Sequence, residues 1–297
     1  MAAEAVEVEV EGRRLRLSNL GKVLYPAAGF TKGQVIDFYT RVAPWALPHL
    51  RGRALTMRRY PNGVDAPHFF EKQRPSHAPE WVRSREVSAG EKLIDFILCE
   101  DVPTLVWLAN LADLELHPSL ALAHAPDTPT VLAFDLDPGP STGIAECCEV
   151  AVLLRETLGH LGLECIAKTS GSKGMQVYVP LNSPVDYAVT KPFAHGVAKL
   201  LESQRPKAIT SVMAKAERPG KVFIDWSQND RHKTTVGVYS LRARERPTVS
   251  TPLMWDEVER ADADALVFEP GEVLERLEEH GDLFAPALDL EQRLPDL

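Results

Sequence analysis

Two hydrophobic periods alternate along this chain. Apolar residues at every second position over Val6–Val10 and Arg14–Leu17 predict two short strands, and a turn follows at Tyr25-Pro26. From Thr31, a residue suited to capping a helix, apolar positions at Val35, Ile36, Phe38, Tyr39 and Val42 keep a helical period. Leu55–Tyr60 predicts a strand that stops at Pro61-Asn62-Gly63. Helical spacing returns over Val102–Leu116, Ile144–Leu161 and Pro192–Leu201, between strands expected at Val131–Leu136, Glu164–Thr169, Met175–Val179 and Val222–Asp225. Strands and helices thus interleave through most of the length, the order of an α/β protein. No repeat, low-complexity tract or Gly/Ser linker divides the chain, so residues 1–297 are read as a single domain. Residues 1–13 are expected to be flexible. The acidic C-terminal stretch 251–297, with a helix near Pro270–His280, is the one candidate appendage.

Composition narrows the class. An apolar share of 44% with 25% charged residues is ordinary for a folded globular chain. No apolar run approaches the ~20 residues that span a bilayer, and Met1-Ala-Ala-Glu4 lacks the layout of a secretion signal, so the expected location is cytoplasmic with no membrane partner. Cys99, Cys147, Cys148 and Cys165 show no CxxC spacing and read as reduced core residues. A net charge of −9 argues against a nucleic-acid partner until its distribution is examined. Residues 1–85 and 161–250 are basic (+6 and +7), whereas 86–160 and 251–297 are each −11. Two basic segments can therefore supply phosphate contacts locally.

Three constellations carry candidate chemistry. In Val131-Leu-Ala-Phe-Asp135-Leu-Asp137-Pro-Gly139, strand alternation puts both carboxylates on one face, roughly 6.5 Å apart. Such a pair repels unless a cation lies between, and oxygen-only ligation suits Mg²⁺ or Mn²⁺; a plain polar turn at the end of a strand stays open. Thr169-Ser170-Gly171-Ser172-Lys173-Gly174 is a turn between strands whose backbone amides, hydroxyls and lysine could cradle phosphate. It is not a Walker A loop, and an ordinary β-turn stays open for it as well. Asp225, inside the apolar strand Val222-Phe-Ile-Asp225, needs a partner, and a metal shared with Asp135 and Asp137 would provide one. Three acids, a phosphate cradle and basic flanks together fit two-metal phosphoryl transfer.

These motifs, Phe-Asp135-Leu-Asp137-Pro-Gly, Thr-Ser-Gly-Ser-Lys173-Gly and Val-Phe-Ile-Asp225-Trp-Ser-Gln-Asn, resemble those of archaeo-eukaryotic-type primase-polymerases. Within that superfamily the chain is most similar to the polymerase domain of bacterial ligase D, the non-homologous end-joining enzyme. Ser18-Asn19-Leu20-Gly21-Lys22, Pro61-Asn-Gly-Val64, Phe69-Phe70-Glu-Lys72, Lys233-Thr-Thr235 and Tyr239-Ser-Leu-Arg242 extend the likeness over roughly residues 14–285.

The resemblance implies a single primase-polymerase catalytic domain in which two β-sheets form a central active-site cleft flanked by helices. It also implies a template-directed nucleotidyltransferase that extends or gap-fills DNA ends, prefers ribonucleotides and serves double-strand break or gap repair. By the same likeness, Asp135, Asp137 and Asp225 hold two divalent ions, Mn²⁺ or Mg²⁺. Phe69, Phe70, His117, Ser170, Ser172, Lys173, Gly174, Gln176, Gln228 and Arg242 meet an NTP or dNTP. Asn19, Lys22 and Lys32 take the 5′-phosphate of a DNA end or gap, and Arg218 lies in a loop that brings DNA ends together. Ku and a DNA ligase are the protein partners implied, whether the chain stands alone or is part of a longer protein.

One departure bears on activity. The family's second motif has His where this chain has Gln176, which offers a neutral amide in place of a possible cation. A lost charge-assisted contact costs about 1.5–3 kcal/mol, so polymerisation is expected to be weak and Gln176→His to raise it. A DNA-end-binding module with weakened or lost polymerase activity is the alternative reading. A nucleotide-sugar glycosyltransferase, which also uses an Asp-x-Asp metal motif, does not ask for two basic segments.

Overall fold

The computed structural model describes residues 5–89 and 92–295, and two β-sheets dominate it. Its six-stranded sheet runs in the order Ile209–Thr210, Val222–Asp225, Val131–Pro138, Met175–Pro180, Ile166–Thr169, Pro252–Leu253. All its pairings are antiparallel except the first. Helices Ile144–His160 and Tyr187–Gln204 cover one face, burying Leu132, Phe134, Leu136, Val177 and Ile224 with Leu154, Leu158, Phe193 and Val197. In the second sheet Arg53–Arg59 pairs with Phe69–Glu71, Lys92–Ile97 and Asp113–Leu122, and Lys92–Ile97 also pairs with Ser84–Ala89. The helix Lys32–Leu50 packs behind it through Val35, Phe38, Tyr39 and Val42, and a capping box at Thr31 and Gln34 fixes where that helix starts.

The segment 237–251 ties the sheets together. Ser240 Oγ accepts from the Leu116 N–H (2.9 Å) on one side, and Ser250 Oγ accepts from Lys168 Nζ (2.6 Å) on the other. The face of the six-stranded sheet away from its helices is thereby turned toward the second sheet, and the cleft between them holds the polar residues described below.

Strands Val222–Asp225 and Met175–Pro180 and helices Ile144–His160 and Pro270–His280 follow the pattern closely. Three expectations are corrected. The helix expected over Val102–Leu116 stops at Asn110, since Ala112 adopts the left-handed region (φ 57°) and Asp113–Leu122 continues as a strand. Its alternation sends Leu114 and Leu116 into the core and Glu115 and His117 to the cleft. Of residues 1–13, expected to be flexible, 1–4 lie outside the described residues, whereas the strands expected at Val6–Val10 and Arg14–Leu17 form a hairpin, Ala5–Val10 with Arg13–Ser18, in which Glu7 faces Arg16 and Glu9 faces Arg14. The C-terminal stretch is no appendage. Leu253 pairs with Ala167, Phe284 fills the first core, and Asp282 accepts from Tyr239 Oη (2.6 Å) and lies 2.7 Å from His49 Nε2. All four cysteines are free and buried.

Candidate active site

A single rung across four adjacent strands carries Lys168, Gln176, Asp135 and Asp225, in that order. Asp137 lies two residues along the central strand and so shares the face of Asp135. The turn after Asp225 folds back on its carboxylate. Oδ1 accepts from Ser227 N (2.9 Å) and Oγ (2.6 Å), and Oδ2 accepts from Gln228 Nε2 (2.8 Å). Arg218 lies with Nη1 3.8 Å from Asp137 Oδ2 and its guanidinium 3.8 Å above the Phe223 ring. Burial, then the charges of Asp137 and Asp225, push Asp135 up to about 7. Burial and Asp225 likewise raise Asp137, against the opposing charge of Arg218.

Among the described residues no group of three or more His, Cys, Asp or Glu side chains is closed into a metal cage. Asp225 is turned toward Ser227 and Gln228, and Asp137 is half exposed beside Arg218. The donor set nonetheless fits a hard divalent ion. It is all oxygen, and the mutual repulsion that raises Asp135 and Asp137 is what a cation would relieve.

The Gly/Ser turn presses on the aspartate strand. A Cβ on Gly174 would fall 2.0 Å from the Leu136 carbonyl oxygen, and one on Gly139 would fall 1.9 Å from that of Arg218. Glycine at both places lets the turn and the Arg218 loop approach Asp135 and Asp137. Within the turn Ser170 Oγ accepts from the N–H groups of Ser172 (3.2 Å) and Gly174 (3.3 Å), so the serine hydroxyl itself fills the amide cradle. Ser172 and Lys173 stand exposed at the rim. Gln176 points inward, its Oε1 accepting from Lys168 Nζ (2.6 Å) and Tyr178 Oη (3.0 Å), and its side chain is also hydrogen-bonded to Asp135.

Glu115 organises the facing wall. It is 1% exposed and accepts from Arg58 Nη1 (2.9 Å), His117 Nε2 (3.0 Å) and the Ala243 N–H (3.0 Å), with Arg242 Nε at 3.4 Å. Burial alone would raise Glu115, but the His117 hydrogen bond and the charges of Arg242 and His117 hold it well below the usual carboxylate range. Burial lowers His117, with Glu115 opposing. Arg242 Nη1 also donates to the Ser170 carbonyl (2.5 Å), joining this wall to the Gly/Ser turn. Phe70 meets His117 edge-on at 5.9 Å, and Arg58 lies 5.1 Å over its ring. Phe69, on the other face of the same short strand, is covered by Arg59 at 5.3 Å. The structure thus brings Phe70 to the His117 group and leaves Phe69 outside it.

Two of the remaining candidates line a second cavity, and Lys32 lies buried nearby. Asn19 and Lys22 line a cavity of about 480 Å³ with Val6, Leu20 and Gly21. Lys22 Nζ donates to the Pro61 carbonyl (2.6 Å) and Asn62 Oδ1 (3.0 Å). Lys32, the first residue of its helix, is buried, and burial together with the Lys22 charge lowers it to about 8. Two neighbouring cations at a helix start suit an anion.

Sequence reasoning passed over Lys168, Glu115 and Arg58. A signal existed for Glu115, since Asp113-Leu-Glu-Leu-His117 alternates as a strand. None existed for Lys168, whose strand gives no sign of what its ammonium faces.

Comparison with known proteins follows this geometry. A family model described as LigD, primase-polymerase domain, matches residues 31–284. A multifunctional non-homologous end joining protein LigD of Mycolicibacterium smegmatis is 42% identical over 285 residues, covering 95% of this chain and 37% of that protein. The bifunctional LigD of Bacillus subtilis is 31% identical over 269 residues, covering 90% of this chain and 43% of its own length. The chain therefore spans less than half of either relative. Among solved structures, the polymerase domain from Mycobacterium tuberculosis ligase D in complex with DNA superposes with a TM-score of 0.87 at 40% identity, covering 94% of this chain and 99% of that one.

Proposed function

The chain belongs to the LigD primase-polymerase family, and from that premise we propose that it is a metal-dependent nucleotidyltransferase that extends or fills DNA ends in break or gap repair. The observation that carries this reading is the convergence of Asp135, Asp137 and Asp225 on one face, with the raised Asp135 and Asp137 carboxyls that such crowding produces. Mn²⁺ or Mg²⁺ held by these three aspartates would activate the primer hydroxyl and neutralise charge on the phosphoryl group in transfer.

The protein's own groups do the positioning. Ser227 and Gln228 order the Asp225 carboxylate. Ser172 and Lys173 at the rim, with Arg242 behind Ser170, face the triphosphate, and Ser170 gives up its amides to a phosphate oxygen. Phe70 offers a stacking surface for a base beside His117. Asn19, Lys22 and Lys32 take the 5′-phosphate across a gap, and Arg218 neighbours the Asp137 carboxylate that would hold a cation. A preference for ribonucleotides, and partnership with Ku and a DNA ligase, rest on the family relation. No helix among the described residues is long and apolar enough to cross a membrane.

The test is primer extension on gapped, 5′-phosphorylated DNA with Mn²⁺, each ribonucleotide set against its deoxy counterpart. Wild type is expected to fill the gap and Asp137→Ala to fail; equal incorporation by the two would refute the assignment.

A further inference from the structure

Lys168 is 1% exposed, yet among the described residues no carboxylate forms a hydrogen bond or ion pair with it. Its ammonium donates to two neutral acceptors, Gln176 Oε1 and Ser250 Oγ, both at 2.6 Å. Tyr178 Oη also points at Gln176 Oε1, and the tyrosine ring lies 5.6 Å from Nζ. Burial, then the Arg242 charge, lowers Lys168 well below the usual lysine range against the opposing charge of Asp135, and an apolar side chain of similar volume would serve packing as well or better. The strand register shows what the charge is placed to do. Lys168 stands opposite Gln176, Gln176 opposite Asp135, and Asp135 opposite Asp225, so the amide stands between the lysine and the nearest carboxylate.

We propose that Lys168 is a positioning residue that fixes the Gln176 amide, holding Oε1 away from the cleft and Nε2 toward Asp135 and an incoming triphosphate. Lys168 Nζ donates to the amide oxygen and the Tyr178 hydroxyl donates to the same atom, which leaves Nε2 to face Asp135. With its oxygen doubly engaged, Gln176 presents its NH₂ to the cleft. Without these two donors the NH₂ would be held toward the cleft by Asp135 alone, and the amide would turn more freely. Ser250 accepts from Lys168 and donates to the Thr169 carbonyl (2.8 Å), which anchors the ammonium from the segment that ties the sheets together. The role deepens the polymerase reading and rests on it for the identity of the ligand, while the orientation itself needs no ligand.

The test reads that orientation and its consequence separately. In ¹⁵N–¹H spectra of the full chain, the side-chain NH₂ of Gln176 is expected to give two distinct signals that exchange slowly with water. Lys168→Met is expected to average and weaken them without lowering the melting temperature, and Ser250→Ala to shift them the same way by less. ATP binding with Mg²⁺, by calorimetry, is expected to weaken about fivefold to tenfold in Lys168→Met, the worth of one oriented neutral donor. Because Lys168 acts through Gln176, Lys168→Met should add nothing in a Gln176→Ala background. An amide that stays ordered in Lys168→Met, or losses of ATP affinity that add in the double variant, overturns the proposal. A wild type that fills no gap while its amide signals respond as described counts against the polymerase reading alone.

Discussion

Asp135 and Glu115 are carboxylates on facing sheets, and their surroundings drive them in opposite directions. Around Asp135 burial adds to the charges of Asp137 and Asp225, with Lys168 and Arg218 held at a distance, and the carboxyl rises to about 7. Around Glu115, two arginines, a histidine and a backbone amide converge on one acid and hold it ionised. One wall is short of cations and the other has them in excess. A nucleotide carrying divalent metal would satisfy both at once, its metals meeting the aspartates and its phosphates meeting the arginines.

Breaking the cationic wall is expected to have the largest effect. Glu115→Gln leaves Arg58 and Arg242 without their shared anion, and loss of one partner from a buried ionic cluster costs about 3–5 kcal/mol. A nucleotide KM raised about a hundredfold in gap filling, with a lowered melting temperature, is the expected outcome. Unchanged KM would show that Glu115 organises nothing that the nucleotide touches.

The basic pocket comes next. Lys22→Ala should remove about one to two decades of preference for a 5′-phosphorylated over a 5′-hydroxyl gap, the worth of one charge-assisted contact. Lys32, lowered to about 8, is charged below that pH and neutral above it. The same preference should therefore decline in wild type as pH rises from 7 to 9, measured by competition between the two DNAs.

The anionic wall yields a stability effect. Asp135 has a folded pKa near 7 against an unfolded value of about 4, so its protonation stabilises the metal-free fold below about 4, and that contribution is lost as pH rises through 7. Asp135→Asn should raise the melting temperature of metal-free protein at pH 8 and leave it nearly unchanged at pH 4. A loss of stability at pH 8 would mean that the carboxylates are already compensated.

The smallest effect is expected at Gln176, and here the structure revises what the sequence suggested. A histidine at this position would be buried beside Lys168, and burial disfavours a charged imidazole. Gln176→His should change catalytic efficiency by less than about threefold, the imidazole replacing a neutral donor with another neutral donor. A tenfold gain in single-turnover incorporation would restore the sequence expectation and show that the imidazole carries charge.

Much of the anionic wall was legible in advance, because Asp135, Asp137 and Asp225 interrupt apolar strands whose period is plain. The cationic wall was only partly so, His117 and Arg242 being candidates while Glu115 and Arg58 were not. Its strand was read as the end of a helix, since Leu105, Leu108, Leu111 and Leu114 keep a helical spacing until the left-handed turn at Ala112, and alanine gives no warning of such a turn. Lys168 was invisible for another reason. The meaning of a lysine in a strand depends on its cross-strand neighbour, and the register that sets Lys168 against Gln176 is a property of the folded sheet. Arg218, given a DNA-end role by the resemblance, also lies 3.8 Å from Asp137, a loop contact that the sequence pattern does not reveal.

Whether Asp135, Asp137 and Asp225 bind a divalent ion is tested most directly by Mn²⁺ binding, measured by calorimetry between pH 6 and 8. Saturable binding that strengthens toward pH 8, releases protons near pH 6 and is lost in Asp135→Asn, Asp137→Asn and Asp225→Asn is the predicted result. Binding of equal strength in wild type and all three variants would place the metal elsewhere and contradict the account.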